Sequence, residues 1–133
     1  MKNIRKTHRR GVATVEFALS APVLFLVVFG LIEMARLHQV NGVCMTAAVA
    51  AAREGAVLDA DAKDVVAAAE NILRPLGITK YNIVVTPTVL TNEIDELTVS
   101  IDAPLSKANG FMFTTFVGGR TIRKQVIRSR QLD

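Results

Sequence analysis

The sequence predicts an α+β fold: a long N-terminal transmembrane helix continuing into an amphipathic helix, a short second helix, and a small antiparallel sheet of about three strands. Three observations predict it. A basic stretch, Met1–Arg10, ends at Gly11 and runs into an almost unbroken apolar segment, Val12–Ile32. An alanine-rich stretch with apolar residues at three- and four-residue spacing follows. Beyond residue 80 the period shortens to two, with Leu97, Val99 and Ile101 alternating against Thr98, Ser100 and Asp102. The expected organisation is a basic leader over 1–11, a transmembrane helix over 12–34, a helix extension over 35–58 and a small extracytoplasmic α+β domain over 59–133.

The apolar segment justifies the first element. Its 21 residues make a helix of about 31 Å, which matches a hydrocarbon core of roughly 30 Å. Thr14 and Ser20 can bond back to the helix backbone. Pro22 lacks an N–H and predicts a kink that transmembrane helices tolerate. Glu33 and Arg36 follow at i,i+3 and mark the far membrane interface. The charge distribution gives the direction. Five of the 16 Lys and Arg lie before Gly11, so the remainder carries 11 bases against 12 acids, a net of −1 rather than the whole chain's +4. A positive flank holds the N-terminus in the cytoplasm, which explains the basicity better than a nucleic-acid footprint. A removed secretory signal peptide shares the basic end and apolar core. Against it stand the length of the run and the lack of a small-x-small site before a polar mature start. A buried core helix is the third reading.

Gly11 and Glu16 each read two ways. Gly11 is either flexible chain before a helix or the end of a processed leader. Glu16 either sits near the cytoplasmic interface, where a carboxylate costs little, or lies deeper, where a charge costs roughly 2.5 to 3.5 kcal/mol on insertion scales. If the chain is cut after Gly11, the new α-amine of Val12 and the carboxylate of Glu16 become candidate partners between neighbouring subunits. Such pairing would offset the burial of both charges and fix an axial register.

The helix extension rests on Leu37, Val40, Cys44, Ala47, Ala48 and Ala51, an apolar stripe whose alanines permit close approach. Gly42 is a candidate hinge, and Gly55 a second hinge or a helix end. Asp59 or Asp61 caps the second helix, and early acids including Asp64 suit its dipole. Val65, Val66, Ala69, Ile72, Leu73 and Leu76 give that helix an apolar face, and Pro75 and Gly77 stop it. Ile83, Val85 and Val89 belong to an extended segment interrupted by Pro87. Thr91-Asn92-Glu93 fits a hairpin loop before the alternating strand. Gly118-Gly119 precedes a last strand, Thr121–Ile127. Phe111, Phe113 and Phe116 are expected to close the small core or to form a contact surface.

The chain of 133 residues leaves room for one modest domain beside the anchor. Its lone Cys44 forms no internal disulfide and reads as a packed thiol. Asp59, Asp61 and Asp64 do not match calcium-loop spacing. His8 and His38 belong to no metal set, and Gly118-Gly119-Arg120 reads as a turn rather than a phosphate loop. No nucleophile–base arrangement stands out. The expectation is a protein without catalytic residues, cofactor or metal.

Three stretches together carry a resemblance: Arg9–Pro22 (RRGVATVEFALSAP), Gly30–Glu33 (GLIE) and Ala51–Ala56 (AAREGA). Over Arg9–Ala56 the chain resembles the TadE-like family, small bitopic proteins encoded with tight-adherence (Flp-type) pilus systems and regarded as pseudopilins or minor pilin-like components. Over Val57–Asp133 only the helix-then-strands layout is shared. The resemblance implies cleavage by a prepilin peptidase, with Gly11 the last leader residue, Val12 the first mature residue and Glu16 the fifth. The sixth, often tyrosine in the family, is Phe17, which keeps the ring and lacks the hydroxyl. Pro22 and Gly30 are the candidate positions for membrane-helix packing. The implied role is a non-catalytic, membrane-anchored component in assembly or export of the pilus. The implied location is the bacterial inner membrane, with the N-terminus cytoplasmic and the C-terminal domain periplasmic. The implied partners are the prepilin peptidase, pilin-like and inner-membrane platform proteins, and membrane lipid, with no nucleic acid. The alternative is an uncleaved membrane-tethered binding module of another secretion or surface-attachment system.

Overall fold

The computed structural model describes residues 5–57, 60–87, 96–114 and 119–129. Helix α1 spans Arg5–Glu54, α2 spans Ala62–Leu73, and strands β1 (Asn82–Thr86), β2 (Glu96–Pro104) and β3 (Thr121–Ser129) follow, with a 3-10 turn at Lys107–Asn109 between the last two. The α+β class, the long apolar helix, the short second helix and the three-stranded antiparallel sheet are as the sequence predicts. The chain divides into two compact units, Met1–Ala35 and Arg36–Asp133.

Several boundaries differ from expectation. Helix α1 is described from Arg5 and passes through Gly11, so the end of the basic stretch is helical rather than loose chain. It also continues through Pro22 and Gly42 without a break. The helix ends at Glu54, four residues before the predicted limit of 58. Residues 36–54 share one unit with α2 and the sheet. Leu76, expected on the inner face of α2, lies beyond the end of that helix and is exposed. Val89, Thr91–Glu93, Phe116 and Gly118, like Asp59, lie outside the described residues.

Within Arg36–Asp133, the core forms where three apolar faces meet. Helix α1 contributes Val40, Cys44, Ala47, Ala48, Ala51 and Ala52. Helix α2 contributes Val65, Ala69 and Leu73, and β2 contributes Leu97, Val99, Ile101 and Ala103. Small side chains on α1 let its backbone approach the sheet. The approach is close at Gly55, where a Cβ would meet Leu97 Cδ2 and stand 3.0 Å from Val65 Cγ2. Gly55 also closes the helix, its N–H donating to Ala51 O at 3.0 Å.

Strand β2 lies in the centre, antiparallel to both neighbours. Val99 stands opposite Val85 on one side and Val126 on the other. Ile101 likewise faces Ile83 and Lys124. Residues directly opposite share a face, so these pairs line the core side. The outer face carries Asn82, Asp102 and Arg123 in one row and Val84, Ser100 and Gln125 in the next.

Two turns of this unit are of the same kind. After α2, Ile78 N–H donates to Leu73 O at 3.1 Å, with Gly77 at φ +74°. After the 3-10 turn, Phe111 N–H donates to Ser106 O at 3.2 Å, with Gly110 at φ +80°. Each is a helix-terminating turn in which the left-handed residue is glycine because a Cβ is strained there. Buried Asn109 joins them. Its Nδ2 donates to Lys80 O and to Pro104 O, both at 2.8 Å. Its Oδ1 accepts from Thr79 N at 3.2 Å and Lys80 N at 3.0 Å. All four hydrogen-bonding positions of the amide are therefore used, which is what permits its burial. Arg36 covers both turns from α1, donating from Nε to Asn109 O at 2.9 Å and from its NH2 nitrogen to Gly77 O at 3.4 Å.

Candidate functional site

Within Met1–Ala35 the candidate residues lie along a single helix. At about 100° per residue, Val12 and Glu16 are one turn apart on the same face, and Gly30 returns to the angle of Val12 after five turns. Phe17 points to another face, as does Pro22. Gly11, Val12, Glu16, Phe17, Pro22 and Gly30 are all exposed. At Gly11 and Gly30 an added Cβ would meet nothing within 4 Å. Neither glycine is required by packing among the described residues, although glycine inside a helix costs about 0.5–1 kcal/mol relative to alanine.

The polar atoms of this segment are handled locally. Ser20 Oγ donates to Glu16 O at 3.0 Å and to Phe17 O at 3.2 Å. This is the back-bonding a hydroxyl adopts in a helix without water. Phe25 and Phe29 stack one turn apart with ring centroids 6.4 Å apart. In the uncut chain the nitrogen of Val12 is a peptide amide inside α1, so the structure brings Val12 and Glu16 to one face without forming the charge pair that a free α-amine would allow.

Helix α1, taken over Gly11–Glu54, is long and apolar enough to cross a membrane, and none of its most apolar stretch is buried. A core helix of a folded domain would bury that stretch. The part of α1 that does enter a core begins at Val40.

The remaining polar groups sit in Arg36–Asp133. Arg123 makes a two-pronged ion pair with Asp102, at 2.7 Å from Nε and 2.9 Å from the NH2 nitrogen. That hydrogen bond holds the Asp102 carboxyl below its usual range, with burial opposing it and the charge of Arg123 adding to it. An open depression of about 310 Å³ beside the pair is lined by Lys80, Tyr81, Asn82, Asp102, Pro104, Thr121 and Arg123. Burial pushes the Cys44 thiol up, and Lys124 partly offsets this. Among the described residues no three His, Cys, Asp or Glu side chains gather as a metal site would require. The sequence marked Arg36 only as an interfacial charge and passed over Asn109 altogether. The Asn-Gly pair at 109–110 was the available signal for a turn.

No curated protein and no solved structure matches this chain. Residues 11–56, about a third of the chain, match the family model described as TadE-like protein, a match that starts at Gly11, covers the unburied apolar helix and extends one residue past Gly55.

Proposed function

We propose that this protein is a non-catalytic, membrane-anchored, pseudopilin-like component in the assembly or export of a tight-adherence (Flp-type) pilus. The TadE-like match supports a role with that machinery in general. The finer reading rests on one observation: the match begins at a glycine that no packing requires and continues through an unburied apolar helix. On this reading the basic leader stays in the cytoplasm and a prepilin peptidase removes it after Gly11. The apolar helix anchors the chain in the inner membrane and packs through Pro22 and Gly30 against pilin-like or platform helices. The domain over 36–133 stands on the periplasmic side. Glu16, one turn from the new Val12 amine, pairs with that amine on a neighbouring subunit.

A second reading has its own support. Helix α1 runs from Arg5 through Gly11, so the Gly11–Val12 peptide lies inside a helix, whereas a scissile bond must be extended to be cut. Together with Phe17 in place of tyrosine, this favours an uncleaved, membrane-tethered binding module. Intact-mass and N-terminal analysis of the membrane-extracted chain, with and without its cognate prepilin peptidase, separates the two. A peptidase-dependent start at Val12 is the expected result. A retained Met1–Gly11 in both samples rules out processing and leaves the tethered module.

A further inference from the structure

We propose that the free edge of β3 takes up an acidic extended segment of another protein as a further antiparallel strand, in which carboxylates face Lys124 and Arg128 and an apolar side chain faces Val126. This surface lies wholly within Arg36–Asp133 and is present whether or not the leader is cut.

The ladder itself defines that edge. Leu105 N–H donates to Arg120 O at 2.9 Å, one step beyond the Pro104–Thr121 pair. Bonded and non-bonded pairs alternate in an antiparallel ladder. Ile122, Lys124, Val126 and Arg128 are therefore the residues that bond to β2. Pro104, which has no N–H to give, falls at a non-bonded pair, as this phase requires. The N–H and C=O groups of Arg123, Gln125 and Ile127 point away from β2. Among the described residues β2 is the only strand beside β3, so these groups form an unpaired row. Strand addition uses such a row: main-chain bonds supply affinity, and alternate side chains supply selectivity.

Charge selects the occupant. Strand β3 carries Arg123, Lys124 and Arg128 and no acid. Arg123 is held by Asp102. Lys124 and Arg128 make no ion pair among the described residues. They share the inner face, with Val126 between them. Side chains approach most closely at non-bonded pairs, and on the free edge those are the positions facing Lys124, Val126 and Arg128. The matching strand therefore reads acid–x–apolar–x–acid. An open depression of about 460 Å³ bordered by Ala56, Ile127, Arg128 and Ser129 leaves room for the acid at Arg128. An inward lysine deters apolar strands. A second copy is deterred too, because antiparallel pairing about Gln125 would join two strands that are both basic. The opposite edge, β1, is five residues long and uncharged, so it offers no such selection.

The test uses the full chain, isotope-labelled in detergent micelles, and a pair of heptapeptides at millimolar concentration. One is Thr-Glu-Thr-Val-Thr-Glu-Thr, and the other carries Lys in place of both Glu. Amide exchange and chemical shifts are read residue by residue. The glutamate peptide is expected to slow exchange of the Arg123, Gln125 and Ile127 N–H groups, which are fast in the free chain. The lysine peptide is expected to bind at least about fivefold more weakly. Lys124→Glu combined with Arg128→Glu is expected to reverse that preference. Gln125→Pro removes an outward N–H, so it is expected to keep the β2–β3 ladder and abolish binding. Methylating the backbone nitrogens of the peptide's two inner threonines removes bonds from the other side, and is expected to abolish binding to the unaltered chain. No slowing with either peptide overturns the proposal, as do equal affinities for the two. Protection of these N–H groups in the free chain also overturns it, and protection that rises with chain concentration identifies a second copy as the occupant.

Discussion

Asn109 and Gly55 carry more of this fold than their residue types suggest. Asn109→Ala leaves the N–H groups of Thr79 and Lys80 and the carbonyls of Lys80 and Pro104 without their partners. Each unsatisfied buried group costs about 1–3 kcal/mol. Solvent entering the vacated space recovers part of this, so the expected loss is at least about 3 kcal/mol, read as a lower midpoint in denaturant melts of the detergent-solubilised chain. Gly55→Ala is expected to cost about 1–3 kcal/mol by overpacking, because its Cβ collides with Leu97. Gly42→Ala is the contrast. It adds a methyl into open space on an exposed helix turn and is expected to stabilise by about 0.5–1 kcal/mol. Equal effects at 55 and 42 would show that helix propensity, not the approach of β2, sets the outcome. Neither residue was legible in this role. Gly55 read as a helix end because its constraint comes from Leu97, 42 positions away. Asn109 gave no signal of this role in the sequence because its partners arrive from other segments.

Among the elements, periodic ones were legible and terminal ones less so. The alternation of β2 was plain because the strand is buried on one face along its whole length. The alanine face of α1 was equally plain from its three- and four-residue spacing. Leu76 was misassigned because periodicity was carried past Leu73, whereas the glycine turn at Gly77 redirects the chain before Leu76 can reach the core. Strand β3 shows how the sheet treats its edge. Among the described residues it pairs with β2 alone, and Lys124 occupies an inner-face position where an apolar residue would otherwise favour pairing with another strand. On the outer face, the Asp102–Arg123 pair links β2 to β3 across their register. Asp102 has its folded pKa lowered by the hydrogen bond from Arg123. Its contribution is therefore complete above the unfolded carboxyl value of about 3.9 and disappears as pH falls through the lower folded value. The stability gap between the parent and Asp102→Asn is expected to be largest near neutral pH and to shrink below about pH 4. Because the Arg123 side chain is 72% exposed, salt is expected to narrow the gap as well. Denaturant titrations across pH and ionic strength would measure both effects, and a gap that grows on acidification contradicts the assignment.

At the scale of the molecule, one helix serves two solvents. Over Val12–Ile32 its residues are almost all apolar and none is buried. From Val40 onward one face is committed to a core. All the buried apolar residues among the described ones lie at Val40 or later, and Arg36 adds hydrogen bonds from α1 to Asn109 O and Gly77 O. The core should therefore not need the apolar run in order to fold. A fragment starting at residue 34 keeps Arg36, the full alanine face and both glycine turns, and it loses the unburied apolar segment. The expected outcome is a cooperative unfolding transition for the fragment in plain buffer, with a midpoint close to that of the full chain in detergent. A second fragment starting at residue 40 loses Arg36. With two backbone acceptors of the Arg36 guanidinium, Asn109 O and Gly77 O, left open, it should melt earlier. In detergent phase separation the residue-34 fragment is expected in the aqueous phase and the full chain in the detergent phase. A fragment that aggregates or melts without cooperativity would mean that residues before 34 supply part of the fold, and that the apolar run does more than anchor it.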